Sequence, residues 1–133
     1  MKQYKISFLL ILLFAMLGSC KSQQEQTVVP DYFYQTWVHS LEEDNDSVVV
    51  MRNEQFDFPV IRGGRSALTF EKDGTVKKRE MAPNDGHYLI TEGKWSYIPK
   101  NYLLKVELED GREEEYTVVV MKEEIMKLKE VAN

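Results

Sequence analysis

Residues 66–81 read Ser-Ala-Leu-Thr-Phe-Glu-Lys-Asp-Gly-Thr-Val-Lys-Lys-Arg-Glu-Met, and this stretch decides the fold. Apolar and polar side chains alternate on both sides of Asp73-Gly74. Alternation with a period of two is the mark of a half-buried strand, and Asp-Gly between two such runs is a strong short-range signal for a β-hairpin. The stretch therefore predicts two antiparallel strands that are neighbours in a sheet.

The same pattern continues outward along the chain. Residues 102–108 and 113–121 alternate around Asp110-Gly111, which predicts a second hairpin. Eight short strands with turns at near-regular spacing predict an all-β domain, either a sandwich or a closed barrel, and the two hairpins favour an eight-stranded antiparallel up-and-down barrel. The interior of such a barrel is either filled by side chains or holds one small ligand. The other strand-like runs are 34–41, 47–52, 92–98 and 125–131, the last of which would also suit a short helix.

The N-terminus carries a different signal. Lys2 and Lys5 precede the apolar run 6–17, which is too short to span a bilayer and is typical of a secretory signal peptide. Leu17-Gly18-Ser19-Cys20 closes this run and resembles the lipobox of bacterial lipoproteins. The resemblance implies cleavage after residue 19 and lipidation of Cys20. An ordinary signal peptide or an N-terminal membrane anchor is the alternative.

This interpretation divides the chain into a signal peptide (1–19), a lipidated cysteine with a flexible tether (20–30) and a β-barrel domain (31–133). It also predicts an outer membrane lipoprotein, attached through its lipid, that faces the periplasm or the cell surface. Cys20 is the only cysteine, so no disulfide stabilises the fold, which must be stabilised by packing alone. We expect a monomer.

The charge balance bears on the class of partner. The chain has 22 acidic and 17 basic side chains, and removal of Lys2 and Lys5 leaves a net charge of about −7. An acidic domain without a basic stripe is not expected to bind nucleic acid.

The order of features across residues 31–131 resembles the small lipocalin-like lipoproteins of Gram-negative bacteria. The features are Trp37 in the first strand, Arg62-Gly63-Gly64-Arg65, Lys72-Asp73-Gly74, Glu92-Gly93-Lys94-Trp95, Tyr116-Thr117-Val118 and Met126-Lys127-Leu128. The resemblance implies a lipocalin-like barrel with a cup for a small apolar molecule. True lipocalins have Gly-x-Trp in the first strand, where this chain has Gln35-Thr36-Trp37, and a basic residue of the last strand over the tryptophan. Lys127 or Lys129 would have to supply that cation.

Five residues are candidates for ligand contact. Trp37 could stack on a ligand or plug one end of the barrel, as aromatic side chains often do. Together with Trp95 and Tyr116, it marks the place where a cavity would lie if the interior is not filled by side chains. Arg62 and Arg65 flank two glycines and could hold an anion between two guanidinium groups. The alternative is a turn whose arginines pair with surface acids.

No pattern indicates catalysis or a metal. His39 and His87 are the only histidines, and neither has another histidine or a cysteine at ligand spacing. Residues 42–46 are rich in carboxylates but lack the glycine and distal glutamate of a calcium loop, so we interpret them as a solvated loop. The predicted function is non-catalytic and needs no cofactor: binding of a small hydrophobic or amphipathic ligand, or, alternatively, contact of a side-chain-filled barrel with another envelope protein.

Overall fold

The computed structural model describes residues 28–83 and 86–132. The signal peptide, Cys20 and the tether up to residue 27 lie outside the described residues, so the lipidation of Cys20 stays a prediction. Within the part described, no helix is long and apolar enough to cross a membrane.

The described chain forms a closed barrel of eight antiparallel strands, as the sequence predicts. Short 3-10 turns at Asp31–Phe33, Leu41–Glu43 and Pro99–Asn101 are its only helical segments among the described residues. The last run is a strand and not a helix. The strands are β1 (Thr36–His39), β2 (Val48–Asn53), β3 (Ala67–Phe70), β4 (Thr75–Met81), β5 (Tyr88–Ile98), β6 (Leu103–Leu108), β7 (Glu113–Lys122) and β8 (Ile125–Glu130).

The strand order departs from simple succession at one place. From β3 to β8 each strand pairs with the next one in the chain, but β1 lies between β2 and β3, and β2 closes the barrel against β8. The chain from β2 to β3 must therefore cross the end of β1. Residues 54–66 make this connection, which we call the crossover segment.

Alternation along the strands sorts the side chains between core and surface. Leu68, Phe70 and Val76 point inward and are at most 5% exposed, as the sequence predicts. Alternation along β7 predicts that Val120 shares the inward face with Val118, and this prediction is wrong. A bulge between Val118 and Val120 adds one residue to β7, so the partner of the inward Met126 is Met121.

Two boundaries differ from the expectation. The fifth strand begins at Tyr88 and not at Glu92, so the hairpin of β4 and β5 is longer than predicted. Packing also begins before Asp31, because Val29 is buried in the core while Val28 is 81% exposed. The eight strands of the closed barrel all lie between residues 36 and 130. A chain that lacks residues 1–27 therefore still contains every residue whose contacts are described here.

Candidate ligand-binding cup

One end of the barrel is closed by aromatic side chains. The 3-10 turn Asp31–Phe33 carries Phe33 across the barrel, where its ring stacks on Phe70 at 4.5 Å between centroids. Trp37 lies beneath it and donates its indole N–H to the carbonyl oxygen of Phe33, 3.0 Å away. Phe33 and Trp37 are both fully buried, so Trp37 is part of a plug and has no face open to a ligand.

Trp95 belongs to the same closed end. Its ring lies 5.0 Å from that of Phe33 and 5.7 Å from that of Phe70, and its N–H donates to the carbonyl oxygen of Glu71. The cation expected over Trp37 is not there, since Lys127 and Lys129 alternate with inward residues of β8 and lie on the outer face of the barrel. We call this aromatic cluster the plug.

The opposite end of the barrel contains a cavity of about 170 Å³, which we call the cup. Its deep part is apolar, formed by Val49, Met51, Leu68 and Leu128. Because the exposed side chain of Glu130 also lines it, the cup reaches the protein surface. Its remaining lining residues are His39, Ser66, Ala67, Lys78 and Tyr116.

Charged side chains point inward around the mouth of the cup. On β4 the alternation that buries Val76 also turns Lys78 and Glu80 inward, and on β7 Glu114 shares the face of Tyr116. Lys78 forms an ion pair with Glu114, and its ammonium is 3.4 Å from a carboxylate oxygen of Glu80. The sequence holds the signal for this arrangement. If the alternation of inward and outward residues is continued past the apolar part of β4 and β7, it places Lys78, Glu80 and Glu114 inside the mouth.

Tyr116 is the only one of the five candidate residues that lines the cup. Its hydroxyl donates to Oε2 of Glu114 at 2.9 Å. Burial, followed by the charge of Glu114, raises the pKa of the Tyr116 hydroxyl well above its ordinary value. The hydroxyl therefore stays protonated and neutral at the cup wall.

Arg112 completes the ring of charges at the mouth. Its guanidinium makes a bidentate pair with Glu80, at 3.1 and 2.8 Å, and a further bond with Asp110 at 2.8 Å. The hydrogen bonds from Arg112 lower the pKa of Glu80, against the opposing effect of burial. Glu80 is therefore ionised at neutral pH.

His39, Ser66 and Asp44 form a chain of polar contacts at the cup wall. His39 Nε2 is 2.8 Å from Oδ2 of Asp44, whose other oxygen accepts the N–H of Val50 at 2.9 Å. Ser66 Oγ is 3.5 Å from His39 Nδ1, which is longer than the 2.6–3.2 Å reach of a nucleophile and its base. We therefore infer that these contacts hold the imidazole ring of His39 in position.

The structure does not bring Arg62 and Arg65 to the cup. Arg65 is 8% exposed and pairs with Glu42, while its guanidinium also donates to the carbonyl oxygens of Pro59 (2.8 Å) and His39 (3.2 Å). These bonds fasten the crossover segment to the end of β1. Arg62 lies exposed in the same segment. The geometry thus supports pairing with surface acids for Arg65 and offers no two-arginine anion site.

The acidic loop is also more than a solvated segment. Glu42 pairs with Arg65, Asp44 with His39, and Glu43 makes two bonds to Arg52 at 2.7 and 2.5 Å. The hydrogen bonds from Arg52 lower the pKa of Glu43 from 4.5 to about 2. Across residues 28–83 and 86–132, no group of three histidine, cysteine or acidic side chains is arranged to hold a metal ion.

Comparison with known proteins returned no match to a family model, to a curated protein or to a solved structure.

Proposed function

We propose that this protein is a lipid-anchored envelope lipoprotein whose barrel binds a small hydrophobic or amphipathic molecule in the cup. One observation carries the proposal: the end of the barrel opposite the plug has a cavity of about 170 Å³ with an apolar floor and an opening to solvent. A concave, largely apolar site with a few convergent polar groups is the usual form of a small-molecule site.

The volume of the cup limits the ligand. Engineered apolar cavities of about 150 Å³ bind benzene, whereas sites for drug-sized molecules measure about 300–1,000 Å³. The cup therefore accommodates a group of about the size of one ring and not the whole chain of a fatty acid. A longer ligand would leave its remainder outside the mouth.

The first described residue, Val28, lies at the closed end of the barrel. Its neighbours there are Lys72, Gly74 and Trp95. A lipid on Cys20, implied by the lipobox resemblance, would therefore attach the protein through a tether that joins the barrel at its plugged end.

Titration of residues 28–133 with benzyl alcohol, followed by NMR, tests the binding proposal. With eight non-hydrogen atoms, such a probe is expected to bind with a Kd of about 1 mM or tighter. Val49→Phe would place a ring in the cup and abolish binding, while Val48→Phe, on the outer face of the same strand, would leave it unchanged. Equal binding by the two variants, or no binding by the wild-type protein, would contradict the proposal.

A second candidate function is contact with another envelope protein. Val60 is fully exposed, and Tyr88 and Ile90 are 45% and 65% exposed. Val60 and Tyr88 line one groove on the outer side of the barrel, formed where the crossover segment meets β5. Exposed apolar clusters of this kind are frequent at protein interfaces. A Val60→Glu and Ile90→Glu double variant that lost an in-cell cross-link made by the wild-type protein would favour this function.

A further inference from the structure

The two cations at the mouth of the cup are already neutralised. Lys78 faces both Glu114 and Glu80. Arg112 is held by Glu80 and Asp110. Because each cation touches two carboxylates, neither has positive charge to spare for an anionic ligand.

Glu130 differs from the other acids at the mouth. It ends β8, two residues after the inward Leu128, and lies directly across from Tyr116 in the pairing of β7 with β8. Its side chain lines the cup, and no other described residue forms an ion pair or a hydrogen bond with it. The mouth thus holds an uncompensated carboxylate directly above an apolar floor.

The balance of charges around the opening is negative. Two cations, Lys78 and Arg112, share the opening with four carboxylates: Glu80, Glu114, Glu130 and Asp110. The remaining titratable groups on the wall do not reverse this balance, because His39 is paired with the carboxylate of Asp44 and the hydroxyl of Tyr116 is neutral. A charged ligand that enters the cup meets a field that attracts cations and repels anions.

We propose that the ligand of the cup is a small amphipathic amine, whose apolar body fills the space between Val49, Leu68 and Leu128 while its ammonium group pairs with Glu130. This inference rests on the proposed binding function and specifies the chemical class of the ligand. The oxygen of the Tyr116 hydroxyl, whose own proton is donated to Glu114, can accept a hydrogen bond from the same ammonium. A carboxylate in that place would lie beside Glu130 as a like charge, and the cation on the cup wall, Lys78, is already paired with Glu80 and Glu114.

Three probes with one common ring separate these possibilities. Benzylamine, benzyl alcohol and benzoate differ chiefly in the charge of the group attached to the ring. In a titration of residues 28–133 at pH 7 and low salt, we expect benzylamine to bind about fivefold tighter than benzyl alcohol, and benzoate to bind most weakly. A fivefold preference corresponds to about 1 kcal/mol, which is the upper end of the range for an ion pair with an exposed carboxylate.

A charge-neutralising variant assigns the preference to one residue. Glu130→Gln is expected to lower benzylamine affinity about fivefold and to leave benzyl alcohol affinity unchanged. Glu107→Gln is the matched control, because it removes the same charge from the outer face of β6 and should alter neither affinity. Thermal unfolding of both variants would show that each keeps its fold.

The outcomes distinguish this inference from the binding function itself. If benzyl alcohol binds and benzylamine binds no tighter, or if Glu130→Gln binds benzylamine as well as the wild-type protein does, the amine assignment is overturned and the cup remains a binding site. If none of the three probes binds the wild-type protein, the binding function fails and the amine assignment fails with it.

Discussion

The indole N–H of Trp37 donates a hydrogen bond to the carbonyl oxygen of Phe33, 3.0 Å away, inside the closed end of the barrel. A buried indole N–H needs an acceptor, and here the acceptor is the backbone of the turn that carries the plugging ring. This bond ties the first strand to the plug. It also restricts the space for a ligand to the opposite end, where Tyr116 and the inward charges lie.

Phe33→Ala should destabilise the barrel strongly. The Phe33 side chain is fully buried between Phe70 and Trp95, and loss of a buried phenylalanine costs about 3–5 kcal/mol. Urea unfolding, followed by tryptophan fluorescence, measures the free energy of unfolding. Val60→Ala, at a fully exposed position, is the control and should change it by less than about 0.5 kcal/mol. A loss below about 1 kcal/mol for Phe33→Ala would contradict the plug.

Arg65→Ala should also lower the free energy of unfolding, although Arg65 lies outside the cup. It leaves the carbonyl oxygens of Pro59 and His39 without their donor, which costs about 1–3 kcal/mol where such groups are buried. Arg62→Ala, in the same crossover segment but exposed, should be nearly neutral. Ligand affinity should not change in either variant. A loss of benzoate binding with unchanged stability in Arg65→Ala would restore the anion-binding interpretation.

Gly93→Ala should disturb the pairing of β5 with β6. A Cβ atom at Gly93 would overlap the backbone carbonyl of Glu107, which cannot move without displacing β6. Overpacking of this kind typically costs about 1–3 kcal/mol. Ser96→Ala on the same strand is the control. Thermal unfolding midpoints that agree for the two variants would show that β5 and β6 are less closely packed at this point.

The Glu43 pair with Arg52 gives stability a dependence on pH. The pKa of Glu43 falls from 4.5 to about 2 on folding, so the pair stabilises the native state above about pH 4.5. This contribution is lost as the pH falls from about 4.5 toward 2, because Glu43 takes up a proton. The difference in unfolding free energy between the wild-type protein and Glu43→Gln should therefore be largest near neutral pH and shrink below pH 4.5. A difference that is constant from pH 7 to pH 2 would argue against the pair.

Local sequence pattern accounts for most of the barrel and for little of the cup. Alternation and the Asp-Gly turns place the strands, because both depend only on near neighbours in the chain. The position of β1 between β2 and β3 depends on the crossover segment, whose anchor, Arg65 with Glu42, joins residues 23 positions apart. Met121 points inward because of a single bulge in β7, and no turn residue in the sequence indicates that bulge.

The candidate site, like the fold, could be predicted from the sequence only in part. Alternation along β7 predicts that Tyr116 points inward, as the structure shows, but whether an inward aromatic residue plugs the barrel or lines a cavity depends on the side chains of the opposite strands. Trp37 and Trp95 lie at the end that Phe33 fills, and Tyr116 lies at the end that it does not reach. Glu130 was missed although alternation from Met126 and Leu128 points it inward, since charged residues at a strand end are usually solvated.

Intermolecular NOEs between a ring-sized probe and the protein methyl groups test the central claim most directly. With benzylamine bound to residues 28–133, the account predicts NOEs from the probe ring to the methyl groups of Val49, Met51, Leu68 and Leu128. NOEs to Val28 and Trp95 at the closed end, in place of these, would contradict the account. So would a protein that is saturated with the probe but shows no NOE to the four cup residues.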